Sequence, residues 1–284
     1  MGLVIGEISY TNMLPLYYYL DRDYLNRIGC MFIPQIPAQL NEAMSKGAID
    51  VGGISSFSYG EHVDQYTLLP NLSVSAPKNV GSIFLFSKVP ITQLDGKKVA
   101  LTSSSATSVN LLKIILQTFY QMDVSYTVMK PDFNEMLKDH DACLLIGDDA
   151  IVTLWGLSPD FHRYDLGQIW YEHTKLPMTF AVLAVRNEIL ERENERISIL
   201  YDGFMTSKNK CLENNYSEMI SSIRKDLSGS KTYWENYFQG LNHDLTDKHI
   251  EGLYLFYDKA TELGLLKKVN KISLWSALDH CHSI

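Results

Sequence analysis

Positive charge is in short supply in this chain. Twenty-five lysines and arginines face 33 aspartates and glutamates, leaving a formal net charge of -8 at pH 7. A surface that tracks phosphates is therefore not expected, and neither is a nucleic-acid partner. Cysteine is scarce as well: Cys30, Cys143, Cys211 and Cys281 are far apart and form no CxxC pair. That spacing argues against a disulfide framework or a zinc site and for reduced thiols in the cytoplasm. No apolar run approaches the ~18 residues of a membrane span, so no membrane partner is expected. Met1 leads directly into LVIGEIS, with neither a basic n-region nor a cleavage pattern, so export is not expected either.

The usual cofactor signatures are also missing. GxGxxG and GxxxxGK[ST] do not occur, which removes the support for a dinucleotide or P-loop site. GxSxG and HExxH are absent too. The single His/Cys cluster, His280-Cys281-His282, puts adjacent side chains near the chain end, where they do not converge easily on one metal. No cofactor and no metal are expected.

What the chain does have is enough apolar material for a sizeable core: 46% of its 284 residues are hydrophobic. Strand and helix signals alternate through the first two thirds. LVIGEIS, MFIPQIP, AIDVGGIS, SIFLFS, VSYTVMK, ACLLI and MTFAVLAVR read as strands, with helical spacing in most of the segments between them. Helices then dominate, at 187–209, 214–227, 230–239, 246–263 and 270–280. This order predicts an α/β protein of two lobes joined by two crossing strands. Residues 1–88 and 179–284 form the first lobe, with the C-terminal helices packed on it, and residues 89–178 form the second. A ligand cleft is expected between the lobes, at strand C-termini and helix N-termini.

The segment VALTSSSATSVNLLKIIL (Val99 to Leu116) carries the most information about that cleft. Ser103, Ser104, Ser105, Thr107 and Ser108 lie between a strand and an amphipathic helix. One hydroxyl suffices to cap a helix. Five of them beside unpaired backbone N–H groups and a positive dipole end make an anion site, without any Lys or Arg. Polar clusters follow three other strands: Ser9 to Asn12, Ser55 to Ser58, and Gly147 to Asp149. Each alone reads as a loop or a cap. Together, in the two-lobed fold, they point into one cleft, and Ser82 opens a strand beside the crossing.

Longer segments resemble a known family. ISYTNMLPLYYYL, KGAIDVGGISSFSY, GSIFLFSKVPITQLDGKKVALTSSSATSVNLLKIIL, LLIGDDAI, DLGQIWYEHTKLPMTFAVLAVR and YFQGLNHDLTDKHIEGLYLFYDKATELGLL look like the MqnA branch of the MqnA/MqnD menaquinone-biosynthesis proteins. The most specific parts are SYTN-x-LP, the strand with its TS loop, and DLG-x-x-W followed by LP-x-x-FA. The resemblance implies a periplasmic-binding-protein type II-like fold used as a cytoplasmic enzyme. The implied activity is chorismate dehydratase, giving 3-[(1-carboxyvinyl)oxy]benzoate in the futalosine route to menaquinone. By position, the resemblance makes Asn12 the catalytic side chain. It sets Ser56, Ser82, Thr107 and Ser108 at ligand-facing positions and Asp148 at the acidic position of the Gly-Asp loop. Ser103 joins them as a donor of the seryl loop.

Chorismate is a dianion with a ring hydroxyl, and it suits a cleft of hydroxyls and helix N-termini. Its dehydration leaves an aromatic ring, a large driving force that asks little of the protein. The motif loops hold no His or Glu as a base. The expectation is a site that binds and orients, with the proton going to a carboxylate of the substrate or to Asp148. A non-catalytic cytosolic binding protein for a small carboxylate is the alternative, because it uses the same fold and donors.

Overall fold

The computed structural model describes residues 2–276. Ten strands form two five-stranded sheets among them. The first sheet has the order β2-β1-β3-β10-β4, from β1 (Leu3–Ile8), β2 (Cys30–Gln35), β3 (Val51–Ser55), β4 (Tyr66–Ala76) and β10 (Met178–Arg186). The second has the order β7-β6-β8-β5-β9, from β5 (Ile83–Ser87), β6 (Lys98–Thr102), β7 (Ser125–Met129), β8 (Ala142–Ile146) and β9 (His162–Asp165). Both sheets follow one plan. Three strands are parallel, and the strand that brings the chain across lies antiparallel beside them: β10 against β3, and β5 against β8.

This pairing moves one expected boundary. Residues 83–87 were expected in the first lobe, which was to end at residue 88. Instead Ile83–Ser87 pairs with β8 and β9, so the chain crosses between Ala76 and Ile83. Ile83 to Phe86 is a continuous apolar run buried on both faces, so its pattern carries no preference for either sheet. The sequence reading also missed β4. Pro70 interrupts its apolar pattern, Asn71 takes a φ of 57°, and the pairing with β10 shifts register between Val182 and Ala184. A proline is tolerated in a sheet at just such an irregularity.

Parallel strands need helical crossovers, and these cover the sheets. In Ala106–Ile114 and the π-helical turn Ile115–Phe119 behind it, Leu111, Leu112, Ile114, Ile115 and Leu116 are wholly buried. The late helices pack on the first sheet. Asn187–Glu213 lies on β4 and β10 and meets Leu14–Tyr17, where Ser207 Oγ donates to the Pro15 carbonyl at 2.9 Å. Asp247–Glu262 lies on β10, and its Tyr257 hydroxyl donates to the Ser56 carbonyl at 2.8 Å. The helix expected over 270–280 does not form in its described part. Residues 271–276 carry no helix, and Leu274 bridges to Leu68 of β4. The His280-Cys281-His282 cluster lies outside the described residues.

Cys30, Cys143 and Cys211 are free and buried. His140 is buried, its Nδ1 2.9 Å from the Met136 carbonyl. Among the described residues, no helix is long and apolar enough to cross a membrane.

Candidate active site

Four loops that follow strands meet between the two sheets. The first follows β1 and holds the short turn Thr11–Met13. Thr11 is buried, and its hydroxyl donates to Asp148 Oδ1 across the cleft at 2.5 Å. The second follows β3. There Ser55 caps the short helix Ser56–Glu61 by accepting from the Ser58 N–H at 3.1 Å, and Asn41 holds Ser55 in turn.

The third loop is the seryl loop, and the structure separates its hydroxyls by task. Ser104 bonds Thr102 at 2.7 Å within the turn. Ser105 caps the helix Ala106–Ile114, accepting from the Ser108 N–H at 3.2 Å, and its hydroxyl donates to Ser108 Oγ at 3.1 Å. Thr107 Oγ1 accepts from the Phe57 N–H of the opposite lobe at 3.0 Å. Ser103 points to solvent. Part of the hydroxyl excess that reads as a ligand signal in sequence is therefore turn chemistry and lobe-to-lobe bonding.

The fourth loop begins at Gly147, after β8. The Gly147 N–H donates to the Ser82 carbonyl at 2.7 Å, and its φ is 58°. A Cβ at Gly147 would stand 3.0–3.1 Å from ring carbons of Tyr10 in the first loop. Gly147→Ala is therefore expected to push Tyr10 away, raise KM about tenfold and cost ~1 kcal/mol in left-handed backbone strain. Steady-state kinetics with a thermal melt check this. An unchanged KM would mean that Tyr10 does not need this seat.

These loops line a cleft that is partly open to solvent. Its polar lining comes from Tyr10, Asn12, Ser55, Ser105 and Ser108, and its apolar walls include Ile8, Met13, Val74, Ile83, Ile146 and Phe180. Among the described residues, no lysine, arginine, histidine or carboxylate lines it. Negative charge in a ligand would meet hydroxyls, the Asn12 amide and the first N–H groups of Ala106–Ile114, which have no partner inside their helix. Asn12 Oδ1 is buried and receives no hydrogen bond from the described residues. An unpaired buried amide oxygen is costly, and in a cavity wall it is available to a ligand.

Of the residues singled out in the sequence, Asn12 and Ser108 line this space. The others stand elsewhere. Ser56 is buried and donates to the Thr179 carbonyl at 2.8 Å. Ser82 is buried, and its Oγ accepts from the Tyr237 hydroxyl at 3.0 Å. Thr107 holds Phe57, Ser103 is outside, and Asp148 is one layer back behind Thr11. Ser56, Ser82, Thr107 and Asp148 thus build the walls, while Ser103 takes no part in them. Tyr10, Ser55 and Ser105 are the lining residues that were not chosen, although all three lie in the polar clusters the sequence flagged. The missing signal was which hydroxyl caps and which is free, and that depends on backbone geometry.

Burial pushes the Asp148 carboxyl up from its ordinary value, and the Thr11 hydrogen bonds oppose this. Asp149 is also raised by burial, with Tyr10 opposing. Burial raises the Tyr10 phenol, and a hydrogen bond with Ser104 works against it. Among the described residues Tyr10 is the one titratable side chain in the lining, and its raised value keeps it protonated near neutrality, as a donor rather than a base. Among the described residues no group of three His, Cys, Asp or Glu side chains could hold a metal.

Residues 3–262 match the family model described as menaquinone biosynthesis. The chain is similar to a chorismate dehydratase from Thermus thermophilus, with 34% identity over 276 residues, 92% of this chain and 95% of that protein. Among solved structures it resembles a protein from Archaeoglobus fulgidus (TM-score 0.75, 18% identity, 93% of this chain and 98% of that one). It also resembles the periplasmic aliphatic sulphonate binding protein from Escherichia coli (TM-score 0.68, 15% identity, 95% of each chain). At these identities the solved structures speak for the fold alone, and that fold is the periplasmic-binding-protein type expected from the sequence.

Proposed function

The chain belongs to the menaquinone-biosynthesis family, and from that membership we propose that it works as a chorismate dehydratase. It removes water from chorismate and gives 3-[(1-carboxyvinyl)oxy]benzoate, which makes it a hydro-lyase. The near full-length match to a chorismate dehydratase carries this reading. The cleft supports it, because hydroxyl and amide donors set among apolar walls suit the carboxylates and ring of such a substrate.

The product keeps the enolpyruvyl ether, so the lost proton comes from the ring carbon that bears the ether, and the hydroxyl leaves from its neighbour. No lining side chain is an evident base. The substrate's own enolpyruvyl carboxylate, attached to that carbon, is the base in this proposal. The protein's part is to hold the dianion in a reactive pose. Ser108, whose oxygen accepts from Ser105, and the N-terminus of Ala106–Ile114 hold a carboxylate, and Asn12 meets the leaving hydroxyl. Closed lobes, bonded through Thr11–Asp148 and Phe57–Thr107, exclude water.

Asp148 is then a wall residue. Asp148→Asn keeps an oxygen for the Thr11 hydroxyl and is expected to leave kcat within about threefold of wild type. A loss of about a hundredfold in a well-folded D148N protein would instead make Asp148 the base. We assign the protein to the cytoplasm, in keeping with its buried free thiols. Purified protein given chorismate, followed by ultraviolet absorbance and mass, tests the activity. The expected product is aromatic and lighter by one water. Chorismate that binds and is recovered unchanged would make the protein a carboxylate-binding relative.

A further inference from the structure

We infer that His243 is a positioning residue for Asn12, fixing the direction in which the Asn12 amide enters the cavity. This rests on the reading that Asn12 acts on the bound substrate. Asn12 is the middle residue of the turn Thr11–Met13, a single loop of 3₁₀ backbone with little stiffness of its own. Its amide oxygen has no anchor among the described residues. The side chain therefore points wherever its backbone points. His243 holds that backbone: its Nε2 is 2.8 Å from the Asn12 carbonyl. A carbonyl only accepts, so Nε2 carries the proton and donates.

The histidine is itself rigidly placed. It is 5% exposed and lies in the connection between the helices Lys231–Gly240 and Asp247–Glu262. That connection is laced to β4. Asn242 and Ser75 exchange backbone bonds at 2.8 and 2.9 Å, and the Ser73 N–H donates to the His243 carbonyl at 3.1 Å. Lys208 Nζ ties Asp244 at 2.6 Å and the Asn71 carbonyl at 2.7 Å. Val74, between the two serines on the same strand, lines the cavity. One strand thus carries the cavity wall on one face and, through backbone bonds along its edge, the support of Asn12.

The competing reading is a buried histidine that merely pins one loop to another. Two amide variants separate the readings. In His243→Gln the side-chain NH₂ falls where Nε2 was, whereas in His243→Asn it stops short of the Asn12 carbonyl. H243N is expected to lower kcat about tenfold or more with KM within about twofold, and H243Q to recover most of kcat. In an Asn12→Ala background, H243N should have no further effect on kcat, because the group it positions is gone. The inference is overturned by an H243N enzyme with kcat within about threefold of wild type, or by a loss that repeats in full in the N12A background. It is also overturned if H243N fails to fold while H243Q folds, which would place His243 in the scaffold. Should N12A itself turn over at the wild-type rate, the role of Asn12 falls first and the inference falls with it. A normal H243N beside an impaired N12A removes the inference alone.

Discussion

Asn12→Ala is expected to lower kcat/KM about a hundredfold, ~2.7 kcal/mol of lost transition-state stabilisation, the scale found when one preorganised donor is removed. Three features of the site lead to this size. The cavity holds no formal charge, so each neutral donor carries a large share of the orientation. The Asn12 amide oxygen has no hydrogen-bond partner among the described residues, so removing it breaks no bond of theirs. The Asn12 backbone is held through its carbonyl by His243, and truncating the side chain leaves that bond in place. Activity should fall while the melting temperature barely moves. Steady-state kinetics on purified N12A, with a thermal melt as control, decide the matter. A loss smaller than about tenfold (1.4 kcal/mol) would remove Asn12 from the reaction.

Acid should destabilise the protein through His243, by up to about 3 kcal/mol between pH 6.5 and 4. Burial is the main cause: it lowers the His243 pKa from 6.5 to about 4. The Asn12 carbonyl and Asp244 pull it back up, and Lys208 pushes it further down. The folded protein keeps this ring neutral where the unfolded chain protonates it. Its contribution is therefore complete above pH 6.5 and drains away as pH falls towards the folded value. His249, also lowered by burial, acts in the same direction. Asp148, Asp149 and Asp165 act in the opposite direction. Burial raises them, so the folded state binds their protons more readily and gains stability as pH falls. The His243 part is isolated by comparing denaturant unfolding of wild type and H243Q across this range. Wild type should lose about 3 kcal/mol more than the variant. Parallel curves would show that His243 does not carry the effect.

Much of the fold was legible in the chain because apolar periodicity is a local property. VALT, ACLLI and MTFAVLAVR are strands wherever they pair, and the helix behind the seryl loop shows its buried face in its spacing. Partner choice is not local. Ile83–Ser87 is apolar on both faces and suits either sheet, and only its pairing with β8 and β9 assigns it to the second. β4 was hidden because Pro70 breaks its pattern while β10 still pairs with both of its halves.

The site divides along the same line. The residues themselves determined that four polar loops follow strands, that no cation belongs to the seryl loop, and that the first loop presents an asparagine. Tertiary structure alone decided which of those polar groups remain free. Ser56, Ser82 and Thr107 each meet a partner far away in sequence, at Thr179, Tyr237 and Phe57, and so become wall rather than lining. His243 reaches Asn12 across 231 positions of chain. A hydroxyl or an imidazole carries its chemistry in its identity, but its availability depends on what the folded chain brings within hydrogen-bonding distance.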